Sequence, residues 1–128
     1  MRRYEGADNH SVFIIDDDNA IRSYLTAILR TEGFKVVGEA GAIEKAEKQL
    51  ALHPATVVLL DINLPAQDGL TALSKLRVTY PNACFIMISG EATAGNVQAA
   101  IAEGARGFVA KPFTITKVSQ ALARALKL

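Results

Sequence analysis

The apolar positions of the chain change period along its length, and each change marks a boundary between elements. Ser11 to Ile15, SVFII, is a short continuous apolar run that reads as a buried strand. Ile21, Leu25, Ile28 and Leu29 then fall on one helical face, which ends at Gly33, a residue suited to the left-handed conformation that closes helices. Phe34 to Glu39 returns to strand, and Ile43, Ala46 and Leu50 form a second helical stripe stopped by His53-Pro54. Thr56 to Leu60, TVVLL, is a third strand with Asp61 at its end, followed by a third helix marked by Leu70, Leu73 and Leu76 and closed near Tyr80-Pro81. Cys84 to Ile88 is a fourth strand, and Val97, Ala100 and Ile101 give a fourth helix that runs to Gly104. Gly107 to Ala110 is a brief fifth strand, and Ile115, Val118, Leu122 and Leu126 form the last stripe, with Thr114 as its N-cap. One strand–helix unit is repeated five times.

Strands apolar on both faces, each followed by a helix, predict a parallel sheet covered on both sides. Right-handed crossovers make this a doubly wound α/β sandwich. In open sheets of this kind ligands bind beyond the carboxyl ends of the strands, where the strand order reverses. Asp16 and Asp17 follow the first strand, Asp61 the third, Ser89 and Gly90 the fourth and Lys111 the fifth, so all are expected along one edge.

Composition narrows the function classes. A chain of 128 residues fits one domain with its own core. The net charge of +1, from nearly equal numbers of basic and acidic residues, lacks the electrostatic footprint of direct nucleic-acid binding. The single cysteine, Cys84, lies inside the apolar run CFIMIS and is expected to pack as a small hydrophobe, which excludes an internal disulfide and fits a reducing compartment. No apolar run approaches the roughly 18 residues of a membrane span. A soluble cytoplasmic protein is expected, with residues 1–10, MRRYEGADNH, as a flexible polar tail ahead of a domain over residues 11–128. His10 and His53 have no partner at catalytic spacing and are expected at the surface, and Tyr4, Tyr24 and Tyr80 as packing or surface residues.

The run Asp16, Asp17, Asp18 is the chemical signal. Two unit charges about 4 Å apart repel by roughly 1 kcal/mol in water and roughly 4 at an effective dielectric of about 20. Asp18 reads as the cap of the first helix, and Asp68-Gly69 reads as a turn. Asp16, Asp17 and Asp61 together form the hard oxygen pocket that Mg²⁺ demands, and the cation offsets their repulsion. Lys111 adds a point positive charge and Ser89 a hydroxyl able to bond a phosphoryl oxygen. With Mg²⁺ between Asp61 and a phosphoryl group, the carboxylate can attack phosphorus and carry an acyl phosphate.

Over Ser11 to about Leu126 the chain resembles the receiver (CheY-like) domain of two-component response regulators. The features that carry the likeness are the pair Asp16-Asp17, Asp61, the pair Ser89-Gly90, Lys111-Pro112 and the turn Leu64 to Gly69, LPAQDG. The resemblance implies a flavodoxin-like sheet of strand order 2-1-3-4-5. It implies Asp61 as phosphoacceptor from a histidine kinase, Asp17 as a direct Mg²⁺ ligand, Asp16 acting largely through metal-bound water, and the Asn63 backbone carbonyl as a further ligand. Asn63 and Glu91 occupy the positions that tune phosphoryl lifetime, Lys111-Pro112 is expected to be cis, and Ser89 with Phe108 forms the switch. Phosphorylation then reshapes the surface of the fourth helix, fifth strand and fifth helix by shifting populations. Three positions depart from the commoner pattern: Phe108 replaces a tyrosine and has no hydroxyl to anchor either rotamer, Ser89 replaces a threonine, and Gln67 replaces a methionine. Implied partners are a sensor histidine kinase or phosphotransfer protein and a downstream output domain or target protein. A homodimer through the switch surface is a further route. The chain ends just after the fifth helix, as a stand-alone receiver or the front of a longer regulator would.

Three other classes compete. A haloacid-dehalogenase-like phosphatase places its aspartyl nucleophile after the first strand in an Asp-x-Asp motif followed by Thr or Val, whereas Asn19 and Ala20 follow here, and no cap domain fits. An FMN carrier needs a hydroxyl- and glycine-rich phosphate loop where three aspartates stand. A receiver-shaped module that is never phosphorylated usually lacks the acceptor or the lysine, and this chain keeps Asp61 and Lys111.

Overall fold

The structure, a computed structural model, describes residues 5–128. Strands β1 (Ser11–Ile15), β2 (Lys35–Ala40), β3 (Val57–Asp61), β4 (Cys84–Ser89) and β5 (Gly107–Ala110) alternate with helices α1 (Asn19–Thr31), α2 (Ile43–Leu52), α3 (Gly69–Thr79), α4 (Ala94–Ala102) and α5 (Ile115–Leu126). Every neighbouring pair of strands is parallel, and the order is β2-β1-β3-β4-β5. The order reverses between β1 and β3, so the carboxyl ends of these two strands lie side by side at the switch point.

Period-two alternation divides the strand residues between two cores. Val12, Ile14, Leu59 and Ile86 face α1 and α5, packing with Leu25, Leu29, Val118 and Leu122. Phe13, Ile15, Leu60 and Met87 face α2, α3 and α4, packing with Leu50, Leu73, Leu76 and Ala100. Each fully buried side chain of this size contributes roughly 1.5–3 kcal/mol, so both layers are needed to hold the sheet edge rigid.

The edge strand departs from the pattern expected of a two-faced strand. Lys35, Val37 and Glu39 of β2 are exposed, and the register shifts between Val12 and Phe13, so Val36 and Gly38 sit opposite consecutive residues. The physical reason is the Phe13 ring: a Cβ on Gly38 would lie 2.6 Å from Phe13 Cε2, so the strand bulges and glycine yields the space. Strand ends also run one residue further than the hydrophobic pattern indicates. Asp61 pairs with Ile88, and Ser89 with Ala110, carrying polar side chains on the last rung of the ladder.

Helix ends follow local chemistry. Gly33 (φ 94°) and Gly104 (φ 101°) take the left-handed conformation beyond α1 and α4. Thr114 caps α5 by accepting from Lys117 N at 3.2 Å. Asp18 caps α1, accepting from Ala20 N at 2.8 Å and Ile21 N at 3.3 Å. Asp18→Ala is expected to lower stability by about 1 kcal/mol, read by urea denaturation, because two N–H groups lose their acceptor.

Residues 1–4, Tyr4 among them, lie outside the described residues. Of the segment expected to trail as a polar tail, Ala7–Asn9 instead form a one-turn 3-10 helix, and Ala7 is fully buried against the α1 and α5 core. Among the described residues, no helix is long and apolar enough to cross a membrane.

Candidate metal centre

Three strand ends carry the same local device. At the end of β1, Asp16 Oδ1 accepts from Asp18 N at 2.9 Å. At the end of β3, Asp61 Oδ1 accepts from Asn63 N at 3.0 Å. At the end of β4, Ser89 Oγ accepts from Glu91 N at 2.9 Å. A short oxygen-bearing side chain that bonds the backbone two residues on turns the chain sharply out of the strand. Each of these residues thereby holds its own loop with one acceptor and keeps a second polar atom for the site: Asp16 Oδ2, Asp61 Oδ2 and the Ser89 hydroxyl proton.

Lys111 joins the acids. It follows β5, and its backbone N–H donates to Ser89 O at 2.7 Å, which sets the start of its side chain beside β4. The Lys111-Pro112 peptide is cis. Lys111 Nζ lies 2.9 Å from Asp16 Oδ2 and 3.1 Å from Asp61 Oδ2, bridging the two carboxylates. Asp16 and Asp61 are buried and Asp17 is exposed, yet one carboxylate oxygen of each lies within 4.8 Å of the other two.

Electrostatics follow from that crowding. Burial raises the Asp61 pKa above its ordinary value, and the Asp16 charge adds to the rise, while the Asn63 N–H and Lys111 act against it. Burial pulls the Lys111 pKa down, but Asp16 first and Asp61 second outweigh it, so the ammonium is held above its ordinary value. One cation on two buried carboxylates leaves a net negative pocket. Among the described residues, Asp16 Oδ2 has no well-directed hydrogen bond, and its ion-pair partner is that ammonium at 2.9 Å. An under-satisfied buried carboxylate oxygen among three hard anionic ligands fits a small divalent cation that keeps several waters, as Mg²⁺ does.

Of the other residues singled out in the sequence, Asn63 is exposed and paired with Asp68 in an isolated antiparallel bridge. Glu91 is exposed at the mouth of the β4–α4 loop, its carbonyl accepting from Asn96 Nδ2 at 2.8 Å. Phe108 lies opposite Met87, half-buried against the core of the α2, α3 and α4 layer, outside the acid cluster. His10 stands by Thr56, at the other end of the sheet. Cys84 is buried, and burial raises its thiol pKa. Tyr24 stacks on Phe113 with centroids 5.8 Å apart.

Sequence reasoning missed Gly69. It begins α3 rather than merely completing a turn, because Asp68 caps the helix through Leu70 N at 3.3 Å and Gly69 N donates to Ile62 O at 2.8 Å. The signal was present in the spacing: an Asp followed by Gly just before the Leu70 stripe is a cap position as well as a turn.

A doubly wound α/β domain with an acid trio and a lysine at its switch point defines a class of phosphoacceptor signalling domain. The response regulator receiver domain model matches residues 12–123. The chain is 37% identical over 117 residues to the chemotaxis protein CheY of Listeria monocytogenes, covering 91% of this chain and 98% of that one. It is 34% identical over the same length to the CheY of Bacillus subtilis. The solved CheX–CheY–BeF3–Mg²⁺ complex from Borrelia burgdorferi superposes with a TM-score of 0.87 at 33% identity, covering 91% of this chain and 89% of that one. The chain belongs to the response regulator receiver family, whose function is to accept a phosphoryl group in two-component signalling. Receiver domains bind Mg²⁺ through an acidic cluster of this kind.

Proposed function

We propose that Asp61 is the phosphoacceptor, that Asp16, Asp17, Asp61 and the Asn63 carbonyl hold Mg²⁺, and that Lys111 and Ser89 complete the site. The observation that carries this reading is the ammonium bridge from Lys111 to Asp16 and Asp61, because it aims one buried oxygen of the acceptor into the acid trio. A bound Mg²⁺ supplies charge neutralisation to a phosphoryl group in flight. Asp61 Oδ2 forms the new bond to phosphorus while the phosphorus–nitrogen bond of a kinase phosphohistidine breaks, and the imidazole leaves. Lys111 Nζ disperses charge on the transferred oxygens, and the Ser89 hydroxyl donates to one of them. Drawing Ser89 toward the phosphoryl group opens space for Phe108 to rotate inward, which changes the α4–β5–α5 surface presented to an output domain, a target protein or a second copy of the chain. Asn63 and Glu91, exposed beside the pocket, set access of water to the acyl phosphate and so its lifetime. This chemistry belongs to a signalling domain in the cytoplasm that catalyses only its own phosphorylation and dephosphorylation.

Incubation with acetyl phosphate and Mg²⁺ followed by intact-mass measurement tests the assignment. The native chain is expected to gain one phosphoryl group, and Asp61→Asn or chelation by EDTA to abolish the gain. An unmodified native chain, or an equal adduct on Asp61→Asn, contradicts it.

A further inference from the structure

The Asp16–Asp17 peptide links two of the acids, and a side chain from outside the trio grips it. Arg22, on the second turn of α1, donates from Nη1 to Asp16 O at 2.5 Å and from Nε to Glu39 Oε1 of β2 at 2.8 Å, while Nη2 bonds Asn19 Oδ1. On the other side of the same residue, Asp16 N donates to Ala40 O at 3.1 Å. The N–H and the carbonyl of Asp16 are therefore both held, and the plane of the following peptide is fixed. Among the described residues no hydrogen bond or ion pair holds the Asp17 carboxylate itself. Its direction is set by the backbone on which it stands.

Arg22 stands where a surface cation would not be favoured. Its side chain is only 13% exposed, and it lies near the positive end of the α1 dipole, where cations are disfavoured. A planar fork with five donors can satisfy at once three acceptors, one each on the β1–α1 loop, α1 and β2, which a lysine ammonium on a flexible stem cannot do in the same geometry. Gly41 makes room for it: a Cβ there would lie 3.2 Å from Arg22 Nη1 and 3.8 Å from Asp16 O and Asp17 Cα.

We propose that Arg22 is a positioning residue for the cation site, fixing the Asp16–Asp17 peptide so that the Asp17 carboxylate meets those of Asp16 and Asp61. The inference rests on the reading of these three acids as the Mg²⁺ ligands. It differs in sign from a purely electrostatic role. A positive charge beside the pocket repels Mg²⁺, so charge alone requires that removing Arg22 tighten binding, whereas loss of positioning weakens it.

Calorimetric titration with Mg²⁺, well below the unfolding temperature, on the native chain, Arg22→Lys, Arg22→Met and Gly41→Ala separates the two. Arg22→Lys keeps the charge and is expected to bind Mg²⁺ about 10- to 100-fold more weakly, the usual effect of removing a group that orients a ligand. Arg22→Met is expected to weaken in the same direction. Gly41→Ala, which crowds the guanidinium without altering any charge, is expected to weaken binding several-fold and keeps the proposal testable should the Arg22 variants fail to fold. Native affinity in Arg22→Lys, or tighter binding in Arg22→Met, overturns it. So does a lowered unfolding midpoint in EDTA with Mg²⁺ affinity unchanged, which makes Arg22 a structural tie alone. Failure of the native chain to bind Mg²⁺ overturns the ligand assignment and this inference together, while native binding that Arg22→Lys leaves intact removes only the inference.

Discussion

Lys111→Met is expected to lose about 3 kcal/mol of stability in EDTA and to regain most of it when Mg²⁺ is added. The ammonium is the cation that bridges Asp16 and Asp61, whose side chains are 0% and 3% exposed. Removing one partner of a buried ionic cluster leaves uncompensated charge, at a cost of about 3–5 kcal/mol, and the Lys111 side chain, 22% exposed, leaves the pocket some access to water, which places the loss at the lower end of that range. A ligand that binds only the folded state stabilises it by mass action, so Mg²⁺ should raise the unfolding midpoint of the variant more than that of the native chain, where lysine competes for the same oxygens. On the proposed role of Lys111, phosphoryl transfer should still fall by about 10²–10³-fold at saturating Mg²⁺, because the ammonium that would meet the developing charge is gone. The pH dependence has a definite sign. The folded pKa of Lys111 lies above its ordinary 10.5, so its stabilising contribution is fully present below 10.5 and is lost as pH rises through the folded value. The stability gap between the native chain and Lys111→Met is therefore expected to close in strong alkali. Denaturation in EDTA and in Mg²⁺ at neutral pH, denaturation in EDTA carried into alkali, and the rate of phosphoryl uptake from acetyl phosphate by intact mass check these points, and equal stability of the two proteins in EDTA at neutral pH rules the argument out.

The layered fold was legible because burial leaves a periodic trace. Val12 and Ile14 against Phe13 and Ile15 are indistinguishable in hydrophobicity, yet their alternation is what assigns them to opposite cores once helices cover both faces. The acids were legible for a different reason: a strand that ends in Asp or Ser where the switch-point rule expects a ligand is conspicuous against its apolar run. What stayed hidden was contact between elements far apart in sequence. The bulge at Gly38 follows from a phenylalanine on another strand, and the role of Gly69 follows from the close approach of α3 to the end of β3. Arg22 left one faint trace, a cation near a helix N-terminus with no acidic residue in the first turn, where the dipole favours the reverse. Ala7 left none, since a lone alanine in a polar segment carries no period.

Gly69→Ala should destabilise the protein by about 3 kcal/mol and weaken Mg²⁺ binding with it, whereas Gly90→Ala, at the end of the neighbouring strand, should be neutral or mildly stabilising. A Cβ on Gly69 would lie 2.3 Å from Asp61 O, 2.5 Å from Ile62 Cα and 2.8 Å from Ile62 O. All three atoms are backbone, so no rotamer change relieves the overlap, and strain of this kind sits at the upper end of the 1–3 kcal/mol typical of overpacking. Relief requires the start of α3 to retreat, which breaks the 2.8 Å bond from Gly69 N to Ile62 O and releases the turn that Asp61 Oδ1 makes with Asn63 N. The Asp61 carboxylate then loses the contact that points its second oxygen toward Lys111. At Gly90 a Cβ meets nothing within 4 Å and the backbone needs no left-handed conformation, so alanine there reduces only the freedom of the unfolded chain, a gain of about 0.4–1 kcal/mol. Urea denaturation of both variants, paired with Mg²⁺ titration, measures the two effects on one scale. A Gly69→Ala protein with native stability and native Mg²⁺ affinity would show that the end of β3 tolerates movement that this packing forbids, and the rigid placement of Asp61 would have to come from elsewhere.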